Sequence, residues 1–272
     1  MPDPIRGQVA RIIAVANQKG GVGKTTTAIN LAAALGEEGL RTLIFDIDPQ
    51  GNATTGLGIE KSGGAATTYD ILLDEVPVAA AARETAVRGV LLCPSTTDLS
   101  SADMELVANE KRIFLLHDAL RHPDVDRLGL DYVLIDCPPS LNLLTVNAMV
   151  AAHAVLIPLQ TEFFALEGLS QLLLTIRNIR QSANPGLRIE GVVLTMADSR
   201  NNLSQQVEAD ARATLGDVVF RTVIPRNVRV SEAPSHSLPV LAYDPASRGA
   251  QAYRALGREL RTRHIAAQKV KA

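Results

Sequence analysis

The chain has 272 residues, of which 46% are hydrophobic, 21% charged and only 3% aromatic, with no tryptophan and a formal net charge of −2. That balance excludes a disordered chain and leaves room for a sizeable core, built mostly from Ala, Val, Leu and Ile as parallel strands buried on both faces require. Two cysteines, Cys93 and Cys137, without a CxxC pair or a Cys/His cluster, exclude a zinc or disulfide framework, and the near-neutral charge means that any nucleic-acid contact must come from a local patch.

In chain order, Met1–Arg11 carries prolines and charges and does not read as a signal peptide. Arg11–Asn17 is a β-rich run that enters a glycine loop, and Thr25–Glu38 is helical and ends at Gly39. Thr42–Asp46 is a second strand, followed by the turn-forming stretch Asp48-Pro49-Gln50-Gly51-Asn52. Gly63–Ala82 is rich in alanine and glycine and is expected to be a loosely packed excursion. Further short apolar runs at Gly89–Cys93, Tyr132–Asp136, Ala154–Leu159, Gly191–Met196 and Val218–Thr222 read as strands. Between and after them, Asp103–Arg121, Leu141–His153, Leu166–Ser182, Leu203–Leu215 and about Ser247–Ile265 read as helices. The alternation predicts an α/β fold, a mostly parallel twisted sheet flanked by helices. Without an internal repeat or a linker it reads as one domain over 1–272, with a short extension at 1–10 and a frayed tail at 266–272.

The strongest motif is Lys19-Gly20-Gly21-Val22-Gly23-Lys24-Thr25-Thr26, set between a strand and a helix. Glycines let backbone N–H groups turn inward onto phosphate oxygens, and the helix that follows aims its positive end at the same anion. Lys24 is placed to reach the β- and γ-phosphates, and the Thr25 hydroxyl to help hold Mg²⁺. The usual first glycine of such a loop falls at Gln18, and an extra lysine, Lys19, stands at the loop entrance.

KGGVGKTT resembles the deviant Walker A motif of the ParA/MinD ATPases. The resemblance implies a P-loop NTPase that binds ATP with Mg²⁺ and forms a homodimer with ATP between the subunits. Lys19 would then contact the partner's nucleotide, a cation delivered to developing phosphate charge as an arginine finger is.

Asp46 and Asp48 leave the second strand within the sequence FDIDPQGNAT, at a carboxyl end where ligands of open α/β sheets sit. The segment matches the family's DxDPQGN motif, which implies that Asp48 positions the attacking water and that Asp46 supports the metal shell. Tyr132–Asp136 is a hydrophobic strand ending in an aspartate, the Walker B form, so Asp136 is expected to hold magnesium through water. Pro138-Pro139-Ser140 follows, as in the family. Cys137 reads as a small buried residue. No second constellation would hold a phosphoryl acceptor, so slow hydrolysis by water is the expected reaction.

The last third carries Arg200, Arg221 and the segment IPRNVRVSEAPS, in which Pro225 and Pro234 are expected to bracket a loop. Guanidinium groups pair two phosphate oxygens and bind a duplex without reading its sequence. The segment is similar to one in ParA/Soj proteins. This implies non-specific DNA binding through Arg200 and Arg229, with Arg226 beside them, and an adenine pocket near Pro225 and Asn227. The similarity spans about Arg11 to Leu260 and implies a partition ATPase of the short, Soj-like class. A ParB-type centromere-binding protein would stimulate its turnover, and its expected location is the cytoplasm and nucleoid.

Alternatives within the same superfamily are a MinD-like membrane ATPase or a positioning ATPase for another cargo. A membrane role needs a bulky amphipathic C-terminal helix. The tail offers only Leu256, Leu260 and Ile265, so no membrane contact is expected. An iron–sulfur ATPase would need cysteine contexts that Cys93 and Cys137 lack.

Overall fold

The computed structural model describes residues 10–60, 64–162 and 165–269. The expected N-terminal extension up to residue 9, Gly63 of the expected excursion and residues 270–272 of the expected tail lie outside the described residues.

Eight strands form one sheet in the order β3-β4-β2-β5-β1-β6-β7-β8. They are β1 (Arg11–Val15), β2 (Thr42–Asp46), β3 (Arg83–Glu84), β4 (Val90–Cys93), β5 (Tyr132–Asp136), β6 (Ala154–Gln160), β7 (Arg188–Ala197) and β8 (Val219–Pro225). All pairings are parallel except that of the two-residue β3 with β4. Parallel strands need crossover connections, and helices supply them. Those used below are α1 (Lys24–Glu37), α2 (Asn52–Gly56), α3 (Leu143–Ala151), α4 (Ala165–Ser182), α5 (Asn202–Leu215), α6 (Val228–Glu232) and α7 (Arg248–Lys269).

Strand side chains alternate between two cores. Ile12 and Ala14 join one core with Phe45, Val133, Ile135 and helices α3 and α4. Ile13 and Val15 join the other with Ile44, Leu134, Leu156 and helices α1 and α7. Both faces are therefore covered, which is why the strands read as continuous apolar runs. Leu256 and Leu260 of α7 are fully buried in the second core. Helix α1 also approaches the turn before β4 closely, since a Cβ on Gly36 would lie 2.2 Å from the Arg88 carbonyl oxygen.

The edge strand β8 is closed by side chains instead of a ninth strand. Glu259 accepts from the Arg221 and Thr222 amides at 2.8 and 2.9 Å, and the Arg212 guanidinium donates to the Phe220 carbonyl at 3.1 Å. Such caps occupy backbone groups that would otherwise template pairing with another chain.

Several sequence expectations need correction. The predicted helix over 103–121 is broken into Ala102–Glu105 and Leu115–Leu120, with turns between. The predicted loose excursion is packed in its described part, which forms helices Thr68–Leu73 and Val78–Ala81 and buries Ile71, Leu72, Val78 and Ala81. Helix α7 continues through the start of the predicted tail, to Lys269. The predicted loop between Pro225 and Pro234 holds α6 and a 3₁₀ turn, Ala233–His236, because Asn227 caps a helix there.

Candidate phosphate-binding site

The motif residues converge at the carboxyl ends of the central strands. β1 ends beside β5 with Val15 opposite Asp136, and β2 ends beside β5 with Asp46 opposite Asp136. The glycine loop follows β1 and runs into α1. Gly21 and Gly23 sit at φ of 73° and 87°, left-handed conformations that glycine adopts without strain. The first turn of α1 carries no acidic residue, and its N-cap, Gly23, makes no side-chain cap. Its orphan N–H groups and positive dipole end are left for an anion.

Two residues that sequence reasoning missed fix this loop. The Asn17 amide donates to the Pro158 carbonyl at 2.7 Å, and its oxygen accepts from the Lys19 amide at 3.1 Å. The Thr195 hydroxyl, almost fully buried, donates to the Val22 carbonyl at 2.9 Å. Asn17 adjoins the motif, so the need for a loop anchor was a signal in its favour. Thr195 lies far along the chain and had none.

Lys24 is buried, and its ammonium donates to the Lys19 carbonyl at 3.0 Å. Burial pushes its pKa down, while the nearby Asp136, Cys137 and Asp48 push the other way. A near-buried cation at a helix N-terminus is a strong phosphate contact. Lys19 stands exposed on the rim and pairs with Glu162 at 3.3 Å. Val22 is buried and holds the loop down, while Gly20 and Gly21 are exposed and Gly23, Thr25 and Thr26 are half-buried.

The three aspartates differ. Asp136 is fully buried, and neither of its oxygens meets hydrogen-bond geometry with any partner. Burial raises its pKa well above the usual carboxylate range, the nearby Asp46 adds to this, and the Thr25 hydroxyl opposes it. Asp46 is already engaged. One oxygen accepts from the Thr54 amide at 2.9 Å and the Thr54 hydroxyl at 2.7 Å, and the other from the Asp48 amide at 3.2 Å. Burial carries it up to about 6, against those hydrogen bonds. The carboxylate expected to support the metal shell also braces the loop after β2. Asp48 is buried, and one of its oxygens accepts from the Gln50 amide at 3.0 Å.

These residues fit a nucleotide triphosphate with a divalent cation. The open first turn and Lys24 suit phosphate, and the orphaned oxygens of Asp136 beside Thr25 suit a hard cation. Among the described residues no group of three or more His, Cys, Asp and Glu side chains forms a closed metal cage. This agrees with an ion held by one or two protein groups and by phosphate. A cavity of about 1020 Å³ lies at the opposite, amino-terminal ends of the strands. Arg41, Arg88 and Arg121 line it together with Asp126 and Asp131.

The arginines are less free than the sequence suggests. Arg200 donates through Nε and Nη2 to both oxygens of Asp198, each at 3.1 Å. Arg229 pairs with Glu232 at 2.9 Å and Asp244 at 3.4 Å. Arg226 is exposed, and its amide donates to the Ala197 carbonyl at 2.9 Å, which brings it beside the Arg200 turn. The Asn227 oxygen caps α6 by accepting from the Arg229 and Val230 amides, and Pro225 closes β8.

A family model described as an AAA domain matches residues 10–189. The chain is 56% identical to the chromosome partitioning protein ParA of Caulobacter vibrioides, over 93% of this chain and 94% of that protein. It is 51% identical to the sporulation initiation inhibitor protein Soj of Bacillus subtilis, over 93% and 98%. Among solved structures it superposes, with a TM-score of 0.79 and 39% identity, on a protein of Mycobacterium smegmatis described as cobyrinic acid a,c-diamide synthase, solved with a bound ATP analogue and magnesium. That match covers 92% of this chain and 93% of the other.

Proposed function

Because the chain belongs to the ParA/Soj family of chromosome-partitioning ATPases, we propose that it is an ATP-switched, sequence-independent DNA-binding protein that hydrolyses ATP slowly and moves DNA. The observation that carries this reading is the pairing of an open phosphate cradle, Lys24 with the free N-terminus of α1, with the orphaned carboxylate of Asp136. Gly20, Gly21, Val22, Gly23, Thr25 and Thr26 complete the cradle, and Pro225 and Asn227 border the base.

Magnesium, held by Thr25 and Asp136, would neutralise phosphate charge. Asp46 acts at one remove, by fixing the loop that carries Asp48. The Asp48 carboxylate accepts a hydrogen bond from the attacking water. Water attacks the γ-phosphorus, the bond to the ADP oxygen breaks, and phosphate leaves.

Lys19 stands on the rim, exposed and only weakly held by Glu162, so it can reach a nucleotide in a second subunit. ATP thereby closes a homodimer. The dimer doubles the arginines facing one duplex, and affinity rises by avidity. Arg226 is the freest contact; Arg200 and Arg229 join by presenting guanidinium edges that Asp198, Glu232 and Asp244 leave open. A ParB-type partner stimulates hydrolysis and so releases the DNA, and the protein shuttles between cytosol and nucleoid.

The test is binding to random-sequence duplex DNA with ATP, with ADP and without nucleotide at one fixed salt concentration. Tight binding with ATP alone is expected. Equal affinity in all three states, or none in any, would refute the switch.

A further inference from the structure

The polar residues at the ends of β6, β7 and α5 form one continuous hydrogen-bond chain that the proposed hydrolysis does not use. It begins at the phosphate loop, where Thr195 Oγ1 donates to the Val22 carbonyl at 2.9 Å. The Thr195 carbonyl accepts from the Thr161 amide at 3.2 Å. The Thr161 hydroxyl shares a hydrogen bond of 2.7 Å with the Ser204 hydroxyl. Ser204 Oγ accepts from the Asp198 amide at 3.1 Å, and Asp198 holds the Arg200 amide at 3.0 Å as well as its guanidinium.

Thr161, Thr195 and Ser204 are 5%, 2% and 4% exposed, so each hydroxyl depends on these partners for its hydrogen bonds. The chain also meets the loop a second time. Thr161 precedes Glu162, whose carboxylate pairs with Lys19. At the far end, Asp198 occupies the Nε–Nη2 edge of Arg200 and leaves Nη1 for another acceptor, which presets the direction of the fork. Next to the chain, Met196 sits at φ 52°, a left-handed conformation unusual for methionine, and the β7–β8 register shifts there. Strain of this kind persists where surrounding contacts over-determine the backbone.

We propose that Thr161 and Ser204 are positioning residues that carry the state of the phosphate loop to Arg200. The inference rests on the proposed function, in which Arg200 meets DNA when ATP is bound. Phosphate in the loop bears on the Val22 carbonyl, and a second subunit draws Lys19 away from Glu162. Both displacements act on Thr161 and Thr195. The hydroxyl pair passes them to the Asp198 amide, and Asp198 re-aims the guanidinium. The buried donors and acceptors have few alternative partners, so the chain shifts as a unit.

The experiment compares full-length wild type with Thr161→Val, which removes the hydroxyl at nearly constant shape, with Ser204→Ala, and with the double variant. Val207→Ala, in the same helix and buried without a hydroxyl, controls for destabilisation. The readouts are duplex-DNA affinity with ATP and with ADP, affinity for a fluorescent ATP analogue, and amide hydrogen exchange over residues 196–206. Expected is a fall of about fivefold or more in the ATP-to-ADP affinity ratio for either single variant, a factor within the usual range of coupling between sites. The double variant should lose no more than a single one, because both break the same chain. The ATP-dependent change in exchange at Asp198–Arg200 should vanish, while analogue affinity and the Val207→Ala ratio hold. An unchanged ratio in Thr161→Val and Ser204→Ala, or an equal loss in Val207→Ala, would overturn the inference alone. A wild type whose DNA affinity ignores nucleotide would overturn the proposed function and this inference with it.

Discussion

Asp136→Asn should stabilise the nucleotide-free protein while removing its response to magnesium. The carboxylate is fully buried, and neither oxygen finds a hydrogen-bond partner of good geometry. Leaving a buried polar group unsatisfied costs about 1–3 kcal/mol, and more for a charge. Asparagine keeps the shape and deletes the charge. With an unfolding entropy of about 2.1 cal/mol/K per residue, a chain of 272 residues changes by about 0.6 kcal/mol per degree. The variant should therefore melt roughly 2–5 °C higher in the absence of nucleotide. The sign of the pH dependence follows from the raised carboxyl pKa. A folded pKa above the unfolded one means that the folded state keeps its proton longer. Wild-type stability from this group is then fully present below the unfolded pKa and is lost as pH rises through the folded one. The advantage of the variant should shrink as pH falls. Calorimetry across pH, with and without Mg²⁺-ATP, measures both effects. A variant that melts at or below wild type without nucleotide, or that gains as much from Mg²⁺ as wild type does, would refute the reasoning.

Lys19→Ala should leave the monomer's melting temperature almost unchanged, because its bridge to Glu162 is about half exposed on both sides and such pairs contribute roughly 0–1 kcal/mol. The ATP-dependent dimer should disappear in sedimentation; a dimer persisting with ATP counts against a role across the interface. Asp48→Ala should hold ATP and the dimer but abolish phosphate release, and unchanged turnover sinks the water-positioning role. Arg226→Ala should weaken binding about equally on all duplex sequences and lower the slope of log affinity against log salt by about one per arginine removed; a sequence-selective loss would contradict a phosphate contact. Gly36→Ala should destabilise the fold by about 1–3 kcal/mol by overpacking, since its Cβ would meet the Arg88 carbonyl at 2.2 Å and backbone cannot easily yield; an unchanged melting curve would show that the turn before β4 yields freely.

The α/β class and seven of the eight strands were legible because each depends on local sequence; the two-residue β3 was missed because Arg83-Glu84 carries no apolar run. An apolar run bounded by turns makes a buried strand, and KGGVGKTT specifies a backbone shape by its glycines and a charge by its lysines. The same locality explains the errors. The stretch 103–121 has helical composition throughout but is broken where the chain must turn to place Leu116 and Leu120 in the core. The segment after Gly63 looked loose because alanine carries no strong pattern, yet Ile71, Leu72 and Val78 anchor its described part in the core.

Tertiary structure alone decided which polar groups are spent and which are free. Asp46 and Asp136 look alike in sequence, each closing an apolar strand, but Thr54 and the Asp48 amide engage the first, while neither oxygen of the second meets hydrogen-bond geometry. Arg11 and Glu190 lie 179 residues apart, and only the fold brings them into an ion pair at 2.6 Å. Thr195, Thr161 and Ser204 come from three separate elements and meet only because β6, β7 and α5 end at the same level. Residue type fixes what a side chain can do, since that chemistry is covalent. Whether it has a partner depends on neighbours distant in the chain, and those are chosen by packing.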